Sequence, residues 1–420
     1  MCQRRIIICI LYLILIPISF AMGQDYKKDV SKYFESKTVK ITFKKYEKFK
    51  NDLKTDWKNI ARLYAPSGNE IFRAEYITEK FKNYNIANAY IDRYGNAVGC
   101  IEGKTGGPTV LFLGTMDDLA TVAEMVKAWK KPIEEKDGKL IGPGTNIGAT
   151  CVTILGLARL FTLPEIQFKG KIYLVGVVQE ETGLVGIKGF LKDHPGEVDY
   201  LIDIMAGTGS ISYGAIGIHW FKMHFKGPRG HTLGVRFPNV TRGVAKAIDR
   251  IYDIPISSKP TEIGSYLNIS MMGAGKVYNH KCDDGWFSVD LRSMDNKILL
   301  DIKEQIVTIV KNVAEEEQLE WWVEPYSETP GGQIPGARDS KLVRIAEESA
   351  RKLGKDVSLS NRGSSNMNVG IGQQILSISV GGNRGGGRDT LEEYANIESN
   401  LNGIKWNFII GYMLTEGDTH

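Results

Sequence analysis

One stretch of the sequence, residues 171–183, constrains the fold more than any other. It reads KIYLVGVVQEETG, an apolar run rich in β-branched residues that is followed by Glu180 and Glu181. Such a run is typical of a strand buried on both faces of a parallel sheet. Ligands bind at the carboxyl ends of such strands, so two adjacent carboxylates there indicate one metal ligand and one general base. The alternative is that both carboxylates cap the following turn and face water.

Strands and helices alternate along most of the chain, which predicts an α/β fold with a mixed, mostly parallel sheet. The predicted strands of this larger domain are residues 109–114, 171–178, 200–204 and 375–380, with a hairpin over 88–102. The predicted helices are residues 56–64, 71–84 and 147–161.

Residues 211–327 show a different order of elements and predict an inserted α+β satellite domain. The predicted order is strand, helix, two strands, long helix and strand, the β-α-β-β-α-β pattern. These elements span residues 211–226, 242–253, 266–272, 285–292, 296–318 and 319–326. The satellite therefore divides a catalytic-type α/β domain into two parts, residues 51–210 and 328–420.

The N-terminus has the pattern of a secretory signal peptide over residues 1–23. Arg4 and Arg5 precede an apolar segment, residues 6–20, and a small-residue cleavage pattern follows. We therefore expect a secreted or periplasmic protein with no stable membrane span after cleavage; an uncleaved anchor is the alternative. Residues 24–50 are rich in lysine and predict a frayed polar lead-in.

Composition excludes some functions and some sources of stability. The formal net charge is only +4 in 420 residues, without a concentrated basic motif, so we expect no nucleic-acid partner. Two of the five cysteines lie in the predicted signal peptide, and the other three, Cys100, Cys151 and Cys282, are far apart. They predict no disulfide framework, so the core must stabilise the fold.

Nine short motifs follow one another in an order that resembles a known enzyme family. They are PSGNE (66–70), LFLGTMDDLATV (111–122), DGKLIGPGTNIG (137–148), VVQEETG (177–183), VDYLIDIMAG (198–207), GPRGHTLG (227–234), YNHKCDDGWFSVDLRSMD (278–295), GSSNMN (363–368) and GGNRGGGRDTLEEY (381–394). In this order they resemble the zinc metallopeptidase family that includes peptidase T, carboxypeptidase G, aminoacylase and succinyl-diaminopimelate desuccinylase.

The resemblance implies a site with two zinc ions that share a bridging carboxylate and an activated water. Glu180 would be the general base, and Glu181 and Asp203 would each bind one zinc. Asp117 would support a metal-binding histidine from behind. The substrate would be a small peptide, hydrolysed as by an amino- or dipeptidase.

The resemblance also implies roles for the satellite domain. His231 would help to polarise the scissile carbonyl, reaching across a homodimer formed through the satellite. Asn279 and Arg292 would bind substrate. From the residues alone, His231 could equally be a structural turn residue.

Three ligand positions depart from the family pattern. Thr115 stands where the first histidine is expected, Asn146 replaces the bridging aspartate, and Asp389 replaces the last histidine. Asp117 then has no histidine to orient. Asn146 is a neutral, weaker ligand than a carboxylate, whereas Asp389 could still bind a hard cation through oxygen. The neighbouring Arg388 could supply charge in place of a metal, or it could be an outward-facing arginine on a glycine-rich loop.

Two hypotheses follow from these departures. The first is a metal-dependent peptidase with one or two ions of zinc or another divalent metal, and the second is a non-catalytic peptide-binding or scaffold protein without metal. A nucleotide site at GPGTNIG is a weaker alternative, because its glycine spacing does not match a dinucleotide fingerprint. If the alignment is right, Thr115, Asn146, Glu181, Asp203 and Asp389 should converge in one cleft.

Overall fold

The computed structural model describes residues 25–234, 236–256 and 264–419. The predicted signal peptide, residues 1–23, lies outside these residues. Within them, no helix combines the length and apolar character that a membrane span requires. Cys100, Cys151 and Cys282 are free thiols.

The described residues of the larger domain form an eight-stranded mixed sheet in the order β1-β2-β6-β3-β7-β17-β8-β16. Its four central strands, β6, β3, β7 and β17, are parallel, as the apolar runs predict. The strands are β1 (Tyr90–Ile91), β2 (Ala97–Glu102), β3 (Lys104–Thr115), β6 (Lys169–Val177), β7 (Tyr200–Gly207), β8 (Ser210–Ser212), β16 (Ser358–Ser360) and β17 (Leu376–Gly382).

Helices cover both faces of this sheet. Alternate residues of β3 point to opposite faces, so Phe112 joins the core beneath one helical layer and Leu113 joins the other. The helices of the larger domain are α1 (Tyr26–Glu35), α2 (Lys37–Ala61), α3 (Ile71–Asn83), α4 (Ala120–Ala128), α5 (Thr145–Phe161), α6 (Val185–Asp193), α9 (Lys341–Lys352), α10 (Met367–Gly372) and α11 (Ile397–Leu414). A short 3₁₀ turn, Ala337–Asp339, precedes α9.

The frayed lead-in predicted for residues 24–50 is wrong, because these residues form α1 and most of α2. Ser36 caps α2, its hydroxyl accepting a hydrogen bond from the Val39 N–H at 3.2 Å. Tyr46 and Trp57 are buried on α2, and the indole N–H of Trp57 donates to the Thr145 carbonyl at 2.8 Å. The two helices are therefore part of the main core.

The satellite has the predicted β-α-β-β-α-β order. Two helices, α7 (Val240–Tyr252) and α8 (Asn296–Glu317), cover one face of an antiparallel sheet. Its strands are β9 (Gly217–Lys226), β11 (Ser265–Asn268), β12 (Met272–Ala274), β14 (Asp284–Ser293) and β15 (Glu320–Thr329), and a separate short pair is β10 (Gly230–His231) with β13 (His280–Lys281).

The long strand predicted for residues 211–226 is in fact two strands in different sheets. β8 pairs with β17 in the large sheet, whereas β9 belongs to the satellite. Between them the chain crosses from one domain to the other, and Ala215 exchanges two backbone hydrogen bonds of 2.7 and 2.8 Å with Gly332 on the returning crossing. An apolar pattern continues across this crossing, which is why the sequence suggested one strand.

A small antiparallel sheet brings the C-terminal motif close to the start of α5. It consists of β4 (Glu134–Lys136), β5 (Lys139–Ile141), β18 (Gly385–Gly386) and β19 (Tyr394–Asn396). The loop between β18 and β19 carries Arg388 and Asp389. This loop and the turn after β6 therefore meet at the carboxyl edge of the large sheet.

Candidate functional site

The turn after β6 is held by two carboxylates from neighbouring segments. Gln179 takes a left-handed backbone conformation with φ of 52°, and the N–H groups of three consecutive residues donate to side-chain carboxylates. Asp117 accepts from the Glu180 N–H at 2.9 Å and from the Glu181 N–H at 3.0 Å. Glu70 accepts from the Gln179 N–H at 2.9 Å. The backbone of the turn that carries Glu180 and Glu181 is therefore held by these hydrogen bonds.

Asp117 thus has groups to orient even without a neighbouring histidine. It follows β3, is fully buried, and also accepts a hydrogen bond of 2.6 Å from the Ser67 hydroxyl. Three donors satisfy its charge, as a buried carboxylate requires. Its place in the structure is that of a residue that positions the Glu180–Glu181 turn.

Glu180 lies among other acidic groups in the cleft. Desolvation raises its pKa well above the ordinary value, and the carboxylates of Glu181, Asp203 and Asp117 raise it further. The Arg388 guanidinium opposes these effects only in part. Glu180 therefore holds its proton more strongly than an exposed glutamate, which suits a group that donates or shuttles a proton.

Glu181, the predicted zinc ligand, forms an ion pair with Arg388. The Arg388 Nη2 lies 2.6 Å from the Glu181 Oε1, and both side chains are mostly shielded from solvent. Burial acts to lower the pKa of Arg388, but the carboxylates of Glu181, Glu393 and Glu180 together outweigh burial and raise it. The predicted ligand thus already has a permanent positive partner.

A second arginine, Arg384, lies close to the same acidic groups. One of its N–H groups donates to the Met205 carbonyl at 3.3 Å. Burial and the nearby Arg388 lower its pKa, whereas Glu180 and Glu181 act in the opposite direction. Two guanidinium groups therefore supply positive charge at this edge of the sheet.

Asp203, on β7, is fully buried and connects to Thr115 through one amide group. The Asn366 Nδ2 donates to the Asp203 Oδ1 and to the Thr115 Oγ1, both at 3.3 Å. Burial raises the pKa of Asp203. Its Oδ2 has no hydrogen-bond partner in the described structure.

Asn146, at the start of α5, faces a buried glutamate. The Asn146 backbone N–H and its Nδ2 donate to the Glu393 Oε1 at 2.8 and 3.2 Å, and the Nδ2 also donates to the Tyr394 carbonyl at 3.1 Å. The Asn146 Oδ1, the atom that would bind a cation, is buried and has no hydrogen-bond partner among the described residues, so the role of Asn146 as a metal ligand stays a prediction.

Asp389, in the loop between β18 and β19, bonds to α4. It is exposed, and its Oδ1 accepts a hydrogen bond of 2.8 Å from the Thr121 hydroxyl on α4. The structure thus brings Thr115 and Asp203 together, but it joins Glu181, Asn146 and Asp389 to three other partners. Across residues 25–234, 236–256 and 264–419, no group of three or more His, Cys, Asp or Glu side chains could hold a metal ion.

A small cleft between the two domains opens at this site. It has a volume of about 190 Å³ and is lined by residues from both domains: Glu180, Glu181, Gly183, Leu184, Ile218, Trp220, Arg292, Ser327, Thr329, Ser364, Ser365 and Asn368. Arg292, predicted to bind substrate, is held by two hydrogen bonds of 2.9 and 3.1 Å to Asp290. It also lies over the ring of Trp220.

His231 and Asn279 lie together elsewhere on the satellite, on and beside the β10–β13 pair. The Asn279 Nδ2 and the His231 Nε2 are 3.4 Å apart, and both side chains are exposed. Neither residue is among those that line the cleft. Within one chain, the structure therefore does not bring these two predicted residues to Glu180.

The sequence matches the family model described as Peptidase family M20/M25/M40 over residues 111–407. The chain belongs to this family. The match covers more than half of the chain, and it includes the Glu180–Glu181 turn, the whole satellite and the Arg384–Arg388 loop.

Relatives and solved structures of the M20/M25/M40 family agree with this assignment. The chain is 30% identical over 145 residues to a putative [LysW]-lysine/[LysW]-ornithine hydrolase of Thermococcus kodakarensis, and 40% identical over 160 residues to the protein of the same description in Pyrococcus abyssi. These alignments cover 34% and 38% of this chain and only 36% and 42% of the relatives.

Among solved structures, the aminopeptidase PepT of Bacillus cereus has a TM-score of 0.69 at 21% identity, covering 86% of this chain and 97% of PepT. A Staphylococcus aureus tripeptidase has a TM-score of 0.70 at 22% identity, covering 87% and 99%. At these identities the likeness establishes the shared fold.

The donor groups of this M20/M25/M40 member do not fit a pair of zinc ions. YxeP of Bacillus subtilis, another structural neighbour, is described as a dinuclear metal-binding peptidase. Zinc prefers histidine, cysteine and carboxylate ligands. Here a hydroxyl, Thr115, and a neutral amide, Asn146, stand at two positions where the resemblance predicts ligands, and Arg388 pairs with Glu181. Within the described residues, Glu181, Asp203 and Asp389 do not form a group that could hold a metal ion.

Several residues of the site were not singled out from the sequence. Arg384 and Glu393 lie in the motif GGNRGGGRDTLEEY, and Glu70 lies in PSGNE. The available signal was the spacing of Arg384 and Arg388, which places two cations in one glycine-rich loop that follows a predicted strand.

Proposed function

We propose that the protein binds small peptides in the cleft between its domains and does not hydrolyse them by the two-metal route. The Arg388–Glu181 ion pair of 2.6 Å carries this proposal. A zinc ion at Glu181 would need the carboxylate that Arg388 already engages, and repulsion between the guanidinium and the metal would add to the cost. Without metal-activated water, Glu180 has no nucleophile to deprotonate.

The cleft itself supports a small, polar ligand. Its volume of about 190 Å³ is below the range of roughly 300–1,000 Å³ that is typical of drug-sized ligands. Its walls offer a cation, Arg292, an aromatic face, Trp220, and hydroxyl groups. Structural neighbours that are described as an aminopeptidase and a tripeptidase support a peptide as the class of ligand.

Calorimetric titration with a panel of di- and tripeptides tests this proposal. We expect at least one peptide to bind, and we expect Arg292→Ala to weaken that binding about ten-fold, because a charge-assisted contact to the peptide is lost. Arg351→Ala removes an arginine from α9, outside the cleft, and should leave affinity unchanged. The same mixtures, analysed by chromatography after incubation with zinc, manganese or cobalt, should contain intact peptide.

A metal-dependent peptidase with an altered site is the second candidate function. Retention of Glu180, with its raised pKa and a backbone N–H held by Asp117, favours it. Metal-stimulated cleavage that Glu180→Gln abolishes would establish this function and overturn the first.

Export and dimerisation belong to the same proposal. The sequence pattern of residues 1–23 supports a secreted or periplasmic location. The exposed side chains of Leu233 and Tyr278, close to His231, support a homodimer through the satellite. Sedimentation of the purified protein tests the dimer.

A further inference from the structure

The helix α2 carries a row of lysines that is separate from the cleft. Lys37, Lys40, Lys44 and Lys48 are all exposed. Spacings of three and four residues place them on one side of a helix. We call these four residues the α2 lysine row.

The lysines of this row differ from the other lysines of α2. Lys45 pairs with Glu165 at 2.5 Å, and Lys54 and Lys58 pair with Glu135 at 2.6 and 2.8 Å. Within the described residues, no acidic side chain forms an ion pair with the four lysines of the row. Their positive charge therefore remains available to an outside partner.

The neighbouring surface is basic and partly apolar. On α1, Lys28 and Lys32 are also exposed, one helical turn apart. Ile41 is 37% exposed, and it lines a shallow groove of about 360 Å³ together with Glu35, Lys37, Lys40 and Lys44. An exposed isoleucine between lysines fits a partner that has negatively charged groups above an apolar layer. An anionic lipid bilayer has both.

The position of these helices in the chain favours the same partner. In the sequence, the apolar segment of residues 6–20 ends shortly before α1 begins at Tyr26. Stable membrane attachment commonly combines an apolar insertion with a basic patch, since either alone binds weakly. In a chain that keeps residues 6–20 as an uncleaved anchor, the α2 lysine row therefore lies close to the membrane surface; after cleavage, the row and Ile41 are what remains to bind it.

We propose that the α2 lysine row, with Ile41 between its lysines, is a docking surface for an anionic lipid bilayer. The lysines attract the lipid headgroups and Ile41 enters the headgroup region. This surface lies before residue 111, where the family match begins, and the proposal does not depend on the proposed peptide binding.

Vesicle sedimentation of the full chain tests this proposal. The vesicles are phosphatidylcholine alone or with about one-third phosphatidylglycerol. The test variant carries Lys37→Gln, Lys40→Gln, Lys44→Gln and Lys48→Gln. The control variant carries the same change at four exposed lysines elsewhere: Lys130, Lys192, Lys297 and Lys311.

We expect the unchanged chain to bind anionic vesicles more tightly than neutral ones, with affinity falling as salt rises. Each lysine near an anionic surface contributes roughly five-fold, so the test variant should lose roughly a hundred-fold or more in affinity. The control variant should lose little. Equal binding by the unchanged chain and the test variant would overturn the proposal and assign any attachment to residues 6–20.

An equal loss in both variants would also overturn it, because net charge would then explain the binding. The proposal would also be overturned if the unchanged chain bound to heparin but not to anionic vesicles. That result would indicate an anionic polymer as the partner.

Discussion

Single side chains explain both what the cleft keeps and what it lacks. Asp117 accepts three hydrogen bonds and holds the turn that carries Glu180 and Glu181. Arg388 takes the carboxylate of Glu181 that a metal ion would need. The site thus keeps the turn that carries Glu180 and Glu181, while Arg388 pairs with the Glu181 carboxylate that was predicted to bind zinc.

The role of Asp117 predicts a large effect of a small change. Asp117→Asn removes the charge and turns one acceptor oxygen into a donor that faces the N–H groups of the turn. Leaving buried donors unsatisfied should reduce the free energy of unfolding by about 2 kcal/mol. Urea denaturation measures this loss, with Asp249→Asn on the exposed face of α7 as the control. A loss no larger than in the control would show that Asp117 does not hold the turn.

The raised pKa of Glu180 predicts a particular dependence of stability on pH. A carboxyl group whose pKa is higher in the folded state favours folding fully below its unfolded-state pKa. This contribution is lost as pH rises through the folded-state value. Glu180→Gln removes the titration, so the variant should gain stability relative to the parent as pH rises from 4.5 to 8.

Urea denaturation at several pH values checks this expectation, with the exposed Glu320→Gln as the matched control. A difference between Glu180→Gln and the parent that stays constant with pH would contradict it.

At the residue level, the sequence predicted three departures from the family's ligand pattern but not the contacts that these residues make. Thr115, Asn146 and Asp389 were recognised as departures from the family motifs. The partners Asn366 and Glu393 could not be paired with them, because these contacts join residues more than 240 positions apart. Such pairings follow from the fold and not from local spacing.

At the level of elements, the main error concerned the two N-terminal helices. Their composition is rich in lysine, and composition suggested a frayed polar lead-in. The buried residues Val39, Tyr46, Phe49, Leu53, Trp57 and Ile60 nevertheless recur with helical spacing along α2. Periodicity was the better guide here, because one apolar side of a helix is enough for packing however charged the other side is.

The packing of α2 predicts that this helix is essential to the main core. Trp57 is fully buried, and its indole N–H is bonded to the start of α5. Trp57→Ala should lower the free energy of unfolding by about 3–5 kcal/mol, through lost burial and the cavity that remains. Trp322→Ala is the control, since Trp322 is 42% exposed on β15 and stacks only on His224.

Urea denaturation followed by circular dichroism measures both Trp variants. Equal, small losses would indicate that α2 unfolds independently of the core.

At the level of the whole molecule, the family fold was predictable because its motifs follow one another in a fixed order. The central parallel strands and the β-α-β-β-α-β satellite lie where the apolar runs predicted them. The crossing between the domains was less predictable, since β8 and β9 form one continuous apolar pattern in the sequence. The cleft depends on this crossing, which brings Trp220 and Arg292 of the satellite opposite Glu180.

The central claim is that arginine side chains, and not metal ions, balance the acidic groups of the cleft. Elemental analysis of the purified protein, after equilibration with zinc and removal of loosely bound ions, tests it most directly. We predict no stoichiometric zinc in the unchanged chain. We predict about two zinc ions per chain, as expected of a restored bridged pair, in a variant that combines Thr115→His, Asn146→Asp, Arg388→Ala and Asp389→His. Two tightly bound zinc ions per unchanged chain would contradict the account.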